Sequence, residues 1–352
     1  MPRGPSTRSV HAGLPPAEQG RPFLPGPVLA SAYHLAGDDV HAATGYLREG
    51  NPTWEAYERA LGELEGGDVV IFASGMAAAT AVLLSAAPGE VLVAPVDGYF
   101  GVRALSEGHI SERGIDVRLV PNTQAAMEEA AVGATIVVCE SPSNPSLEVI
   151  DIPALRAVAP EAALIVDNTL ATPLALRPLE LGATATLASA TKALSGHSDL
   201  LMGYVATNDA AWLERMRAWR QLTGAIPGPV ETWLAHRSLA TLGLRVERQA
   251  ESAAALADLL RARGDVVDVR WPEMGAVVCF TLADAETVAR FFAGSDMIIE
   301  ATSFGGVHTS GERRARWGAD DIAEGFVRFS CGIEDTADLL AEVTKALDAA
   351  SR

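Results

Sequence analysis

Two pieces of chain read together decide the fold: AALIVDNT, Ala162 to Thr169, and SATKALSGHSD, Ser189 to Asp199. In the first, an apolar run ends in a carboxylate, Asp167. Apolar runs without strict alternation are expected of strands buried on both faces of a parallel sheet. In the second, Lys192 stands among small and apolar neighbours, with hydroxyls at Ser189 and Thr191 before it and Gly-His-Ser-Asp after it. Lysine is rarely buried without a partner, so this setting points to a chemical use. Burial lowers the pKa of an amine and makes it nucleophilic toward an aldehyde. An amine to form an imine, hydroxyls to hold a phosphate and a carboxylate to pair with a pyridine nitrogen are together what pyridoxal phosphate (PLP) requires.

Outward from this core, DVVIFAS (68–74), EVLVAPV (90–96), IDVRLVP (115–121) and ATIVVCES (134–141) read as further short strands, several separated by helical stretches. The fold expected is α/β, a mostly parallel sheet of the seven-stranded type between helices, with ligands at the carboxyl ends of its strands. WEAYERALGELEG (54–66) has helical spacing and a Gly-Gly stop. Residues 1–53 are rich in Pro and Gly and read as an extended N-terminal arm, whose length calls for another subunit's surface to pack on. TGAIPGPV (223–230) is a break, followed by one long helical stretch to Gly264, strand-like VVDVRW, AVVCFTL and FVRFSCGIE, and a closing helix. The expected division is an arm over 1–53, a large α/β domain over 54–222 and a smaller α+β domain over 223–352.

The 352 residues carry 27 Lys+Arg against 45 Asp+Glu, a formal charge of −18 that argues against nucleic-acid backbones and anionic membranes as partners. The three cysteines, Cys139, Cys279 and Cys331, are far apart in apolar settings and read as buried free thiols of a reducing, cytoplasmic compartment. No run is long enough to span a bilayer, the N-terminal residues lack the apolar stretch of a signal peptide, and no metal-ligating pattern is present.

Other positions gain meaning beside Lys192. SGMAA, Ser74 to Ala78, joins a strand to a helix, and the N–H groups at Gly75 and Met76 suit a phosphate. Tyr99 follows a strand and is placed to stack on an aromatic ring. Asn144, in ESPSNP, would donate to the ring oxygen, Thr169 would lie close to the ring, and Arg328 in FVRFSCGIE offers a bidentate clamp for a carboxylate.

In their joint order, VHAG (10–13), YLREGNPT (46–53), SGMAA, ESPSNPSLEV (140–149), VDNT (166–169), SATKALSGHSD, HRSLATL (236–242), SFGGV (303–307) and VRFSCGIED (327–335) resemble the Cys/Met-metabolism family of fold-type I PLP enzymes over nearly the whole chain. The resemblance implies that Lys192 carries the cofactor and shuttles protons, that Asp167 pairs with the ring nitrogen, and that Tyr99 stacks on the ring and takes part in proton transfer. It implies phosphate contacts from Gly75, Met76, Ser189 and Thr191, and from Tyr46 and Arg48 to the neighbouring subunit, hence a homotetramer built of catalytic dimers. Asn144, Ser303 and Arg328 would hold the α-carboxylate of a small amino-acid substrate and the ring oxygen. The chain departs from the family where Tyr99-Phe100-Gly101-Val102 replaces Tyr-Gly-Gly-Thr and where His308-Thr309 replaces Glu-Ser, and His308 is accordingly expected to face the substrate side chain. The activity implied is that of a carbon–sulfur lyase like cystathionine γ-lyase, with γ-replacement on an O-acyl-homoserine as the alternative and a catalytically silent paralogue as the alternative of another kind. Methionine γ-lyase fits less well, because no cysteine lies near Tyr99.

Overall fold

The computed structural model describes residues 3–35, 37, 45–318 and 321–351. Seven strands form the larger sheet: β1 (Asp68–Phe72), β2 (Val91–Pro95), β3 (Asp116–Val120), β4 (Ile136–Glu140), β5 (Ala163–Asp167), β6 (Ala185–Ala188) and β7 (Gly203–Thr207). Their order is β1-β7-β6-β5-β4-β2-β3, and all pairings are parallel except those of β7 with β1 and β6. Alternate residues of one strand feed opposite cores. Ile136 and Val138 of β4 pack with the helix Gly75–Leu83, while Val137 and Cys139 pack with the helix Ile152–Val158. Two buried faces explain why these strands read as continuous apolar runs.

Neither β6 nor β7 is among the strands expected from the sequence. β6 is Ala-Thr-Leu-Ala, and alanine has little β-preference, so burial on both faces overrides propensity there, whereas β7, Gly-Tyr-Val-Ala-Thr, is rich in β-formers. The segment carrying Lys192 is the loop between them.

Five strands make the smaller sheet: β8 (Val267–Arg270), β9 (Val277–Thr281), β10 (Ile299–Glu300), β11 (Ser310–Arg313) and β12 (Phe326–Ser330), in the order β10-β11-β12-β9-β8. Phe280, Phe291 and Phe329 centre its core. A separate apolar seam joins the two sheets: Leu147 and Leu170 from loops of the first meet Val277, Cys279 and Phe326 of the second, with Phe304 among them.

The N-terminal arm is not wholly extended, since Pro5–His11 is a helix lying on the helix Leu242–Arg261. The contact is close enough that a Cβ on Gly243 would come within 2.4 Å of Ser6 Oγ. The long helical stretch after the break is two helices, Pro229–Leu239 and Leu242–Arg261. Helix Pro52–Glu65 ends at Gly66, whose φ of +83° suits glycine. All three cysteines are free and buried. Burial pushes the Cys139 and Cys279 thiols up to about 12 and Cys331 up as well. Among the described residues no helix is long and apolar enough to cross a membrane, and no group of three or more His, Cys, Asp or Glu gathers to hold a metal ion.

Candidate active site

The carboxyl ends of β4, β5 and β6 open into a cavity of about 640 Å³ closed on its far side by the second sheet. Lys192, Asp167, Tyr99, Asn144, Thr169, Ser189, Thr191, Gly75, Met76, Ser303 and Arg328 all line it. Residues 253 positions apart at the extremes of this set, Gly75 and Arg328, are thus brought to one space.

Lys192 enters from the loop that connects β6 to β7. Its Nζ donates to Ser303 Oγ at 2.7 Å and sits 5.0 Å from the Phe304 ring centroid. Burial, and behind it the Arg328 guanidinium, pull the amine down to about 8, with Glu312 opposing. Ser303 holds φ +80°, a conformation that costs a residue with a Cβ about 1–3 kcal/mol and concentrates at functional sites. From the other side Arg245, itself buried, donates to the Ala193 and Leu194 carbonyls and fixes the loop.

Asp167 ends β5. Its Oδ1 accepts from the Thr169 N–H at 2.9 Å, and the Thr169 hydroxyl accepts in turn from the Ser189 N–H at 2.8 Å, tying the Asp167 turn to the lysine loop. Burial pushes the Asp167 carboxyl up, against the hydrogen bonds from Thr169. Glu140, at the end of β4, bridges two loops: one oxygen accepts from the Tyr99 N–H, the other from the Asn144 N–H at 3.0 Å. Burial, and next the Asp167 carboxylate, push Glu140 up. Asn144 Oδ1 accepts from Arg328 Nη1 at 2.7 Å, linking this loop to the second sheet.

The donor set fits PLP. A buried carboxylate driven toward its neutral form gains most from a cationic ring nitrogen beside it, and Asp167 is such a group. The helix Gly75–Leu83 opens at the cavity, its Ser74 cap accepting from the Ala77 N–H at 3.0 Å. Its first N–H groups are those of Gly75 and Met76, at the positive end of a helix dipole. The cradle is shaped by missing side chains. A Cβ on Gly75 would lie 2.8 Å from Ser189 Cβ, and one on Gly203 would lie 2.4 Å from the Ser74 carbonyl oxygen.

Comparison with known proteins gives the family. Residues 6–348 match the model described as Cys/Met metabolism PLP-dependent enzyme. The chain belongs to the Cys/Met metabolism family of PLP-dependent enzymes. It is similar to a Streptomyces coelicolor protein named provisionally as a cystathionine gamma-lyase, 46% identical over 98% of this chain and 94% of the other. It is also similar to an L-methionine gamma-lyase of Pseudomonas deceptionensis, 32% identical over 98% of this chain and 97% of the other. Among solved structures it superposes on a cystathionine gamma synthase from Xanthomonas oryzae pv. oryzae in complex with cystathionine, with a TM-score of 0.93 and 30% identity over 100% of this chain and 99% of that one. As a member of this family the chain is a PLP-dependent lyase or transferase of carbon–sulfur chemistry with the fold-type I architecture.

Three of the positions marked in the sequence lie outside the cavity of their own chain. Tyr46 is half exposed, with the Arg48 guanidinium 5.6 Å above its ring, and Arg48 donates to the Gln221 carbonyl at 3.1 Å. His308 is exposed and borders a second hollow that shares Thr191, Leu201, Thr302, Ser303 and Phe304 with the first. The reason lies at the next residue, just ahead of β11. Thr309 turns inward, where Glu334 accepts from its N–H at 2.6 Å and its hydroxyl at 2.8 Å, so His308 turns outward. The Thr191 hydroxyl, expected at a phosphate, donates to the Met202 carbonyl at 3.2 Å and accepts from its N–H at 2.9 Å.

The family site also contains residues the sequence reading passed over. Glu140 opens ESPSNP, and its one signal in the sequence is a carboxylate at the end of the strand beside that of Asp167. Phe304, Arg314 and Trp317 line the cavity too. Nothing in the local sequence GERRARW marks it as a cavity wall.

Proposed function

We propose that this enzyme is a carbon–sulfur lyase that carries out γ-elimination on an L-amino acid, with cystathionine and water giving cysteine, 2-oxobutanoate and ammonia. The observation that carries the reading is the convergence of Lys192, Asp167 and Arg328 on one cavity in a chain 46% identical to a protein provisionally named for that activity. Bound PLP would supply an aldehyde that condenses with amines and a ring that withdraws electrons from the substrate's α-carbon. Lys192 Nζ would hold the cofactor, then remove the α-proton, its lowered pKa making the neutral share of the free amine far larger than in an ordinary lysine. Asp167 would keep the ring nitrogen charged, and Tyr99 would cover the ring face and move a proton toward the leaving sulfur. Ser189 and the Gly75 and Met76 N–H groups would hold the phosphate. Arg328, steadied by Asn144 and beside Ser303, would hold the α-carboxylate.

The second reading is γ-replacement, in which a thiol takes the place of the acyloxy group on an activated homoserine ester and the carboxylate departs. It is favoured by the superposition on a cystathionine gamma synthase with bound cystathionine. Purified enzyme with PLP, given cystathionine alone, is expected to release 2-oxobutanoate. Cystathionine formed from an O-acyl-homoserine and cysteine, without elimination, would support the second reading, and neither product would overturn both.

The assembly we propose is a homotetramer of catalytic dimers. Tyr46 and Arg48 face away from their own cavity, and the arm leaves Phe23 90% and Leu29 71% exposed, surfaces suited to burial against a second copy. Light scattering on the eluting protein tests this, and a monomer retaining full activity would refute it.

A further inference from the structure

Arg328 is held from two sides. Its Nη1 donates to Asn144 Oδ1 at 2.7 Å, across the seam between the sheets. Its Nη2 donates to Glu312 Oε1, from the neighbouring strand β11. Glu312 is directly opposite Arg328 in the β11–β12 register, so both side chains leave the sheet on the same face. Glu312 is 1% exposed and is itself fixed: Arg314 Nη1 donates to Oε1 at 3.1 Å and Trp317 Nε1 donates to Oε2 at 3.0 Å. Glu312 does not line the cavity, whereas Arg328, Arg314 and Trp317 do.

Nη2 donates to the Ser303 carbonyl as well, at 3.3 Å, and a guanidinium tethered in this way at both terminal nitrogens cannot swing, so the face it turns to the cavity keeps one direction. Arginine recognises a carboxylate through two parallel hydrogen bonds, which makes that direction decisive. A carboxylate against the same guanidinium has another possible effect, that of competing with the substrate for it. The burial of Glu312, its three donors and its place behind the cavity wall favour anchoring over competition.

We propose that Glu312 is the positioning residue for Arg328, setting the guanidinium for the substrate's α-carboxylate, with Trp317 fixing Glu312 in turn. The inference rests on the reading above that the substrate is an α-amino acid held by Arg328. It predicts that loss of Glu312 weakens recognition of the carboxylate and leaves recognition of the amine alone.

L-alanine and ethylamine, which differ by that carboxylate, are the probes. Each is titrated into PLP-loaded protein and followed by the visible absorbance of the cofactor. For E312A, the apparent Kd for L-alanine rises by about tenfold or more, the scale of a misplaced bidentate clamp, while ethylamine stays within about twofold. E312Q keeps an acceptor oxygen and stays within about threefold of wild type for L-alanine. Should E312A fail to fold, W317F, at a position 56% exposed, reads the same effect as a rise of about threefold for L-alanine alone. Unchanged discrimination in the folded variant overturns the inference, as does tighter L-alanine binding by E312Q, the mark of a competitor. A wild-type protein that binds both probes equally overturns the amino-acid reading, and this inference with it. A wild type that discriminates beside an E312A that discriminates as well overturns this inference alone.

Discussion

Gly75→Ala is the smallest change that tests how the cofactor cradle is built. The added Cβ would stand 2.8 Å from Ser189 Cβ, 3.0 Å from Ser189 Oγ and 3.2 Å from Ser189 Cα. Carbon atoms at optimal separation lie about 3.5–4.0 Å apart, so the helix start or Ser189 has to give way by several tenths of an ångström. Neither is loose. The Ser189 N–H is bonded to Thr169 at 2.8 Å, and behind Gly75 lies β7, where a Cβ on Gly203 would already be 2.6 Å from Gly75 Cα. Overpacking of this kind costs about 1–3 kcal/mol. Part of that cost appears as lost stability, and part as displacement of the N–H groups proposed to hold the phosphate. We expect apoprotein carrying G75A to bind PLP about tenfold more weakly, by absorbance titration, and to melt several degrees lower. The compensating variant G75A/S189G removes the two nearest atoms, so the melting temperature should recover beyond the sum of the single effects. Wild-type PLP affinity in G75A, or strictly additive melting shifts in the pair, would refute the steric account.

Four further outcomes are expected. Lys192→Ala should abolish the imine absorbance and the borohydride-stable label that mass spectrometry would otherwise find on the peptide containing residue 192, and a label retained elsewhere would reassign the amine. Asp167→Asn should keep the imine but lower kcat/KM about a hundredfold or more, because the ring nitrogen loses the charge that holds its proton; an unaffected rate would remove Asp167 from the chemistry. Only a neutral amine attacks an aldehyde, so with the Lys192 pKa lowered to about 8, capture of PLP by apoprotein should speed up with pH to a midpoint near there rather than at the value of about 10.4 of a free lysine. Arg328→Met removes a cation that disfavours the protonated amine, so stopped-flow capture should show that midpoint moving upward.

What the sequence could disclose follows from which signals are local. β1, β2, β4 and β5 were legible because each is a short apolar run, and a strand buried on both faces needs nothing else; the edge strand β3 is only partly buried and was legible from its valines and leucine. Asp167 and Lys192 were legible because a charged residue among small apolar neighbours is anomalous in itself. β6 was hidden by its alanines and β11 by its polarity: Ser-Gly-Glu-Arg is strand only because β12 supplies the ladder and Glu312 finds a guanidinium across it. Glu140 was hidden differently. Its partners are backbone N–H groups at Tyr99 and Asn144, which every sequence has, so no residue pattern announces them. The outward turn of His308 was decided by the neighbour at 309, whose hydroxyl and N–H both find Glu334. Of two neighbouring side chains, the one with the stronger claim on the interior sets the direction of both.

That distinction bears on where activity and specificity reside in this enzyme. The groups proposed to hold the cofactor, namely Asp167, Ser189, Gly75 and Met76, all belong to the larger sheet's strand ends and loops. The groups proposed to hold the substrate's carboxylate belong to the smaller sheet or the seam: Ser303 and Arg328, with Asn144 reaching across. Lys192 joins the two, since its amine meets a hydroxyl 111 residues away on the opposite wall. A change in the larger sheet should therefore register first in PLP affinity, and a change in β11 or β12 first in KM for the amino acid. The proteins similar to this chain carry lyase and synthase names over the same fold. Differences of chemistry among them must then come from how the walls are lined. In this chain the departures noted in the sequence fall on both walls, at Phe100 to Val102 beside the larger sheet and at His308-Thr309 beside the smaller one, so substrate choice should respond to substitutions at Phe100 and at the smaller sheet's Arg314 and Trp317, which line the cavity, while the cofactor stays in place.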